Sequence, residues 1–208
     1  MPRLQSVEKY KGSTWEIVLD NDEHVYLSYE VVSRFSLAEG QEYDDEDWQE
    51  IVAENEFRKA RERALYLLDY RDYSYIELYN KLEKTYGTEI CERVMDKMVE
   101  LGTINDRRYA EGLAKTYIES RNYGYYKAMQ AMRQKGITKQ IAEEALEPYE
   151  EGTYDRLREF AEKKYGAYLD DEAGIRKVKN ALVRRGFSYD IVNQVVRDIV
   201  DELDDDDE

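Results

Sequence analysis

The chain has 208 residues but only one cysteine, one histidine and two prolines. With Cys91 alone, neither an intramolecular disulfide nor a cysteine-rich zinc site can form. His24 stands in a segment of strand character, with no nucleophile or acid placed to work with it. It therefore reads as a surface strand residue rather than a general base. Cys91, next to Ile90 on an apolar stripe, reads as a buried small hydrophobe. Pro2 and Pro148 leave the chain between them open to long helices. No run approaches the ~18 apolar residues of a membrane-spanning helix. Residues 1–6 lack the apolar core of a secretory signal, so a cytoplasmic protein is expected. No GxxxxGK[ST], no GxGxxG after a strand and no HExxH occurs. The acidic runs at 44–47 and 204–207 lack the alternation and glycine of a calcium loop. No catalytic residue, no metal, no cofactor and no enzymatic activity are expected.

Charge is abundant instead. Residues of Asp, Glu, Lys and Arg make up 38% of the chain, and the net charge is -16. The acidity sits at the ends: residues 1–56 carry 15 acids against 4 bases, and 201–208 carry 7 acids and no base. The remaining 57–200 are balanced, with 27 bases and 25 acids. Within them, 105–140 has 8 bases and 3 acids, and 173–200 has 6 bases and 2 acids. Such excesses suit a polyanion or an acidic protein groove, or else the mixed charge of solvated helix faces.

The first 56 residues and the rest follow different periods. Residues 14–19 and 24–28 are β-prone and flank the turn-forming 20–23, which predicts a hairpin. A further strand over 7–11 makes a small sheet, since a lone hairpin is marginal. Val31, Val32 and Phe35 suit a short helix ending near 37–40, and the acids at 44–47 open a helix over roughly 45–54. From Phe57 onward the spacing is helical. Ala60, Ala64, Leu65, Leu67 and Leu68 share a face; Ser74 and Glu77 form a capping box; Ile90, Val94, Met95 and Met98 form the next face; Asn105 caps another helix.

This helical part repeats. Residues 132–141 (MRQKGITKQI) match 182–191 (LVRRGFSYDI) at an offset of fifty, as apolar-x-x-base-Gly-apolar-Ser/Thr-x-x-Ile. The base neutralises a helix end, glycine takes the left-handed position after it, the apolar residue folds back, and the hydroxyl caps the next helix. A weaker first copy runs over 82–90, with Gly87 in the glycine place. The expected fold is mainly all-α: three tandem three-helix repeats in an elongated array behind a small N-terminal β-hairpin region. The boundaries read 1–56, 57–105, 106–152, 153–202 and a disordered acidic tail at 203–208. Of the twenty tyrosines, most are accounted for by helical packing. Tyr123, Tyr125 and Tyr126, leading into Arg133 and Lys135, are the exception with nucleobase-stacking character.

Leu65, Leu68, Arg71, Ser74, Glu77 and Leu82, then residues 101–110 (LGTINDRRYA) and 132–137, resemble the RecX family of bacterial regulatory proteins. The hairpin resembles the N-terminal extension of its longer members. The resemblance covers nearly the whole chain apart from the acidic tail. It implies a non-enzymatic regulator that lies in the groove of the RecA–single-stranded DNA filament and restrains ATP hydrolysis and strand exchange. The chain departs from the family pattern in the Tyr86-Gly87 of the first repeat and in its acidity, which favours a protein groove over DNA. The alternative is a helical module acting directly on single-stranded DNA. The residues expected to make filament or DNA contact are Arg107, Arg108, Arg121, Tyr125, Tyr126, Lys127, Arg133, Lys135, Arg184 and Arg185. The expected state is a monomer without membrane association.

Overall fold

A computed structural model describes residues 1–206 as two compact units. One comprises residues 1–71 and 78–103; the other comprises 72–77 and 104–206.

The first unit begins with a three-stranded antiparallel sheet, β1 (Leu4–Lys11), β2 (Thr14–Leu19) and β3 (His24–Ser28), in that order. Alternation puts Ile17 and Leu19 on the inner face, where Leu4 and Leu27 meet them, and leaves His24 outside on the Glu16 carboxylate at 3.0 Å. α1 (Tyr29–Arg34) is capped by the Ser28 hydroxyl. It ends earlier than its apolar residues suggest, because Ser36 takes a positive φ of 52° and turns Leu37 back onto the core.

α2 (Asp45–Tyr70) is one helix of 26 residues, where the composition suggests a break near 56. Nothing ends it: no glycine or proline occurs between Gly40 and Gly87, and residues 53–64 are mostly strong helix formers. Buried Asn55 fastens it to the sheet, accepting from the Ser28 amide at 2.9 Å and donating to the Tyr26 carbonyl at 3.2 Å.

α3 (Tyr75–Leu82) and α4 (Thr88–Glu100) follow. Cys91, Val94, Met95 and Met98 line the buried side of α4, and burial pushes the Cys91 thiol up, away from thiolate chemistry. Gly87 departs from the repeat pattern. With φ of -65° it precedes α4 as its N-cap, because α3 has already ended at Leu82.

The second unit holds two further three-helix domains. α5 (Asp106–Lys115), α6 (Tyr125–Gln134) and α7 (Lys139–Leu146) enclose Ala110, Leu113, Tyr117, Met132 and Leu146. α8 (Thr153–Tyr165), α9 (Glu172–Arg184) and α10 (Tyr189–Asp206) enclose Leu157, Ala161, Val178, Leu182 and Val195. A five-residue π-helical turn, Thr116–Ser120, extends α5. α10 runs to Asp206, through residues 203–206 where the run of acids suggests a tail; 207 and 208 lie outside the described residues.

Candidate interaction surfaces of the helical domains

Each surface is positioned by the repeated decapeptide. Gly136 and Gly186 follow the ends of α6 and α9 with φ of 83° and 92°. Ile137 and Phe187 behind them are buried, and Thr138 and Ser188 accept from the amides of Ile141 and Ile191. The same residues also make a joint, used twice. The Ser74 hydroxyl donates to the Lys135 carbonyl. Fifty residues on, the Gly124 amide donates to the Arg185 carbonyl at 2.8 Å, and the Tyr126 amide to the Gly186 carbonyl at 3.1 Å. Each post-helical glycine thus lies against the start of an earlier helix. A Cβ on Gly136 would stand 2.6 Å from the Cβ of Ile76, and one on Gly186 2.3 Å from the backbone nitrogen of Lys127.

Ser74 and Glu77 cap each other reciprocally, the Glu77 amide reaching the Ser74 hydroxyl at 3.1 Å. Ser74 is fully buried. Ser74→Ala removes the cap and strands the Lys135 carbonyl, so a loss of about 2 kcal/mol is expected in chemical denaturation. The Tyr75 amide donates to Asp106 at 2.8 Å. Burial pushes the Asp106 carboxyl up, with the Glu77 charge adding to it. A carboxyl raised in the folded state costs stability above its folded pKa, and the cost disappears as pH falls below the unfolded value. Asp106→Asn keeps the acceptor, so this variant is expected to match or exceed the parent chain's stability at pH 7. The gap closes as pH falls through the carboxylate range, as melting curves at several pH values would register.

Two of the bases expected at a partner interface are engaged inside the fold. Lys135 pairs with Glu77 at 3.0 Å, and Tyr109 donates to the same carboxylate at 3.1 Å. Partial burial opposes the Lys135 charge, but the bonds to Glu77 and Tyr109 outweigh it and hold the ammonium above its ordinary pKa. Arg185 donates to the carbonyls of Arg121 and Asn122 at 2.8 and 3.3 Å and lies 4.6 Å over the Phe160 ring. These carbonyls follow the π-helical turn, and Asn122 has a positive φ of 50°. Neither feature has a signature in the periodicity.

The remaining candidates face solvent to different degrees. Arg107 is exposed and paired with Glu144; Arg108, Arg133 and Arg184 are exposed. Tyr125 packs against the core of its domain, while Tyr126, edge-on to it at 5.5 Å, is 63% exposed. Arg121, Lys127 and Lys135 converge on one groove of about 560 Å³, together with Glu77, Tyr117, Tyr123, Gln130, Ala131 and Gln134. Tyr117 and Tyr123 stack at 5.7 Å, with Arg121 5.4 Å from the first ring and Lys127 4.5 Å from the second. Arg184 borders a second groove of about 650 Å³, with Lys164, Tyr168, Asp170, Asp171, Lys177 and Ala181 among its lining. Sequence reasoning missed this second groove, although the fifty-residue offset carries Lys127 onto Lys177.

Comparison with known proteins agrees with this architecture. The family profiles described as RecX first, second and third three-helix domains match residues 60–98, 105–146 and 150–196. The regulatory protein RecX of Streptococcus sanguinis is 28% identical over 189 residues, spanning 90% of this chain and 73% of that protein. That of Clostridioides difficile is 27% identical over 196 residues, spanning 93% and 92%. A crystal structure of a regulatory protein RecX superposes with a TM-score of 0.73 at 24% identity, over 94% of this chain and 98% of that one. The crystal structure of RecX from Lactobacillus salivarius gives 0.64 at 28% identity, over 69% and 96%.

Proposed function

Because the chain belongs to the RecX family of regulatory proteins, we propose that it binds the RecA–single-stranded DNA filament and restrains its ATPase and strand exchange. On this reading it acts without catalysis, as a monomer in the cytoplasm, in DNA recombination, repair and the SOS response. The observation that carries the reading is the match of all three helical domains to one regulatory family, in order along the chain. Tandem domains suit a partner that itself repeats. The exposed bases Arg107, Arg108, Arg133 and Arg184, with the groove formed by Arg121 and Lys127, are the proposed contacts.

One feature supports the alternative of direct action on single-stranded DNA: the half-buried Tyr123 ring beside Arg121 and Lys127 in one groove. The test is RecA ATPase on single-stranded DNA with this chain titrated in. A saturable fall in rate supports the proposal. An unchanged rate at equimolar chain and recombinase overturns it.

A further inference from the structure

The two grooves are the same place in successive domains. Moving fifty residues along the chain carries Lys127 onto Lys177, Ala131 onto Ala181 and Gln134 onto Arg184, all on one face of α6 or α9. It also carries Tyr123 onto Ala173 and Arg121 onto Asp171, the parts of the walls around the start of each helix. The walls diverge, but the cation and the small residue one turn after it are kept. At the corresponding place before α6 stands Glu77, already held by Lys135 and Tyr109.

Neither Lys127 nor Lys177 is paired with a carboxylate among the described residues. Lys127 lies over an aromatic ring, which supports its charge without consuming its N–H donors. Apolar side chains stand beside each lysine in the lining: Tyr123 and Ala131 in one groove, Tyr168, Val178 and Ala181 in the other. The joint at Arg185 and Gly186 connects the two domains through backbone hydrogen bonds, which fixes one groove relative to the other.

We propose that the two grooves act as one surface for a repeating protein partner, each groove pairing its lysine with an acidic side chain and seating an adjacent apolar one. This rests on the function proposed above and names the chemistry by which the filament's protein would be recognised. A nucleic-acid strand fits less well: Asp170 and Asp171 border the second groove and would repel the continuous run of phosphates that a strand presents, whereas a protein partner brings a single carboxylate to each lysine.

The test is co-sedimentation of the purified chain with RecA filaments assembled on single-stranded DNA, alongside anisotropy on the bare strand. The variants are Lys127→Glu, Lys177→Glu, the pair together, and Lys9→Glu on the exposed part of β1 as a charge-matched control. Each single reversal is expected to weaken filament binding about tenfold and the pair about a hundredfold, with Lys9→Glu unchanged. Lys127→Gln with Lys177→Gln removes charge without reversing it; it is expected to weaken binding less and keeps the test open if the reversed pair fails to fold. If the parent chain does not sediment with the filament, the proposed function falls and this surface with it. If the parent binds and a folded double variant binds equally well, only the surface is wrong. Equal losses on filament and bare strand would assign the grooves to nucleic acid and overturn the proposal.

Discussion

Gly186→Ala is expected to cost about 3 kcal/mol, or about 6–12 °C in melting temperature for a chain of this size. About 1–2 kcal/mol comes from forcing an L side chain to a φ of 92°. The rest comes from the joint. The new methyl would stand 2.3 Å from the Lys127 amide nitrogen, so the Tyr126–Gly186 and Gly124–Arg185 hydrogen bonds must lengthen or break. Gly102→Ala isolates the first contribution: its φ is 66°, and no atom beyond its own chain neighbours lies within 4 Å of the added Cβ. About 1–2 kcal/mol is expected there. Hydrogen exchange adds a local reading, since the amides of Gly124 and Tyr126 should lose protection in Gly186→Ala alone. Equal costs for the two variants would mean that the glycine serves only as a helix terminator.

Met132→Ala and Leu182→Ala are expected to lose 2–5 kcal/mol each. Both side chains are fully buried, at equivalent positions in the two domains of the second unit. They lie in separate cores, so the double variant should lose close to the sum of the single losses. Urea denaturation of all three variants provides the check. A large coupling between them would show that the two cores are not independent.

The repeat was readable because it is written in residues whose conformational roles are local. Gly136 and Gly186 specify a positive φ, Thr138 and Ser188 specify caps, and their fifty-residue spacing sets the domain length. The hairpin was readable from alternation at Trp15, Ile17 and Leu19. What the sequence concealed depends on partners far along the chain. The spacing of Lys135 and Arg185 matches solvent-facing helix ends as well as it matches an inward pair, because only the fold brings Glu77 and the carbonyls of 121 and 122 within reach. The continuity of α2 was hidden by the shift in charge near residue 56, which changes solvation without ending a helix. Gly87 misled because glycine serves at either end of a helix, and the placement of the preceding one decides which.

The measurement that tests the account most directly is the affinity of this chain for preassembled RecA–single-stranded DNA filaments and for the bare strand at low and high salt. A regulator that reads the filament's protein binds the filament tightly, binds the bare strand weakly, and loses filament affinity with salt far less steeply than a phosphate binder does. Comparable affinity for both, falling steeply and in parallel with salt, would contradict it and identify phosphate as the ligand.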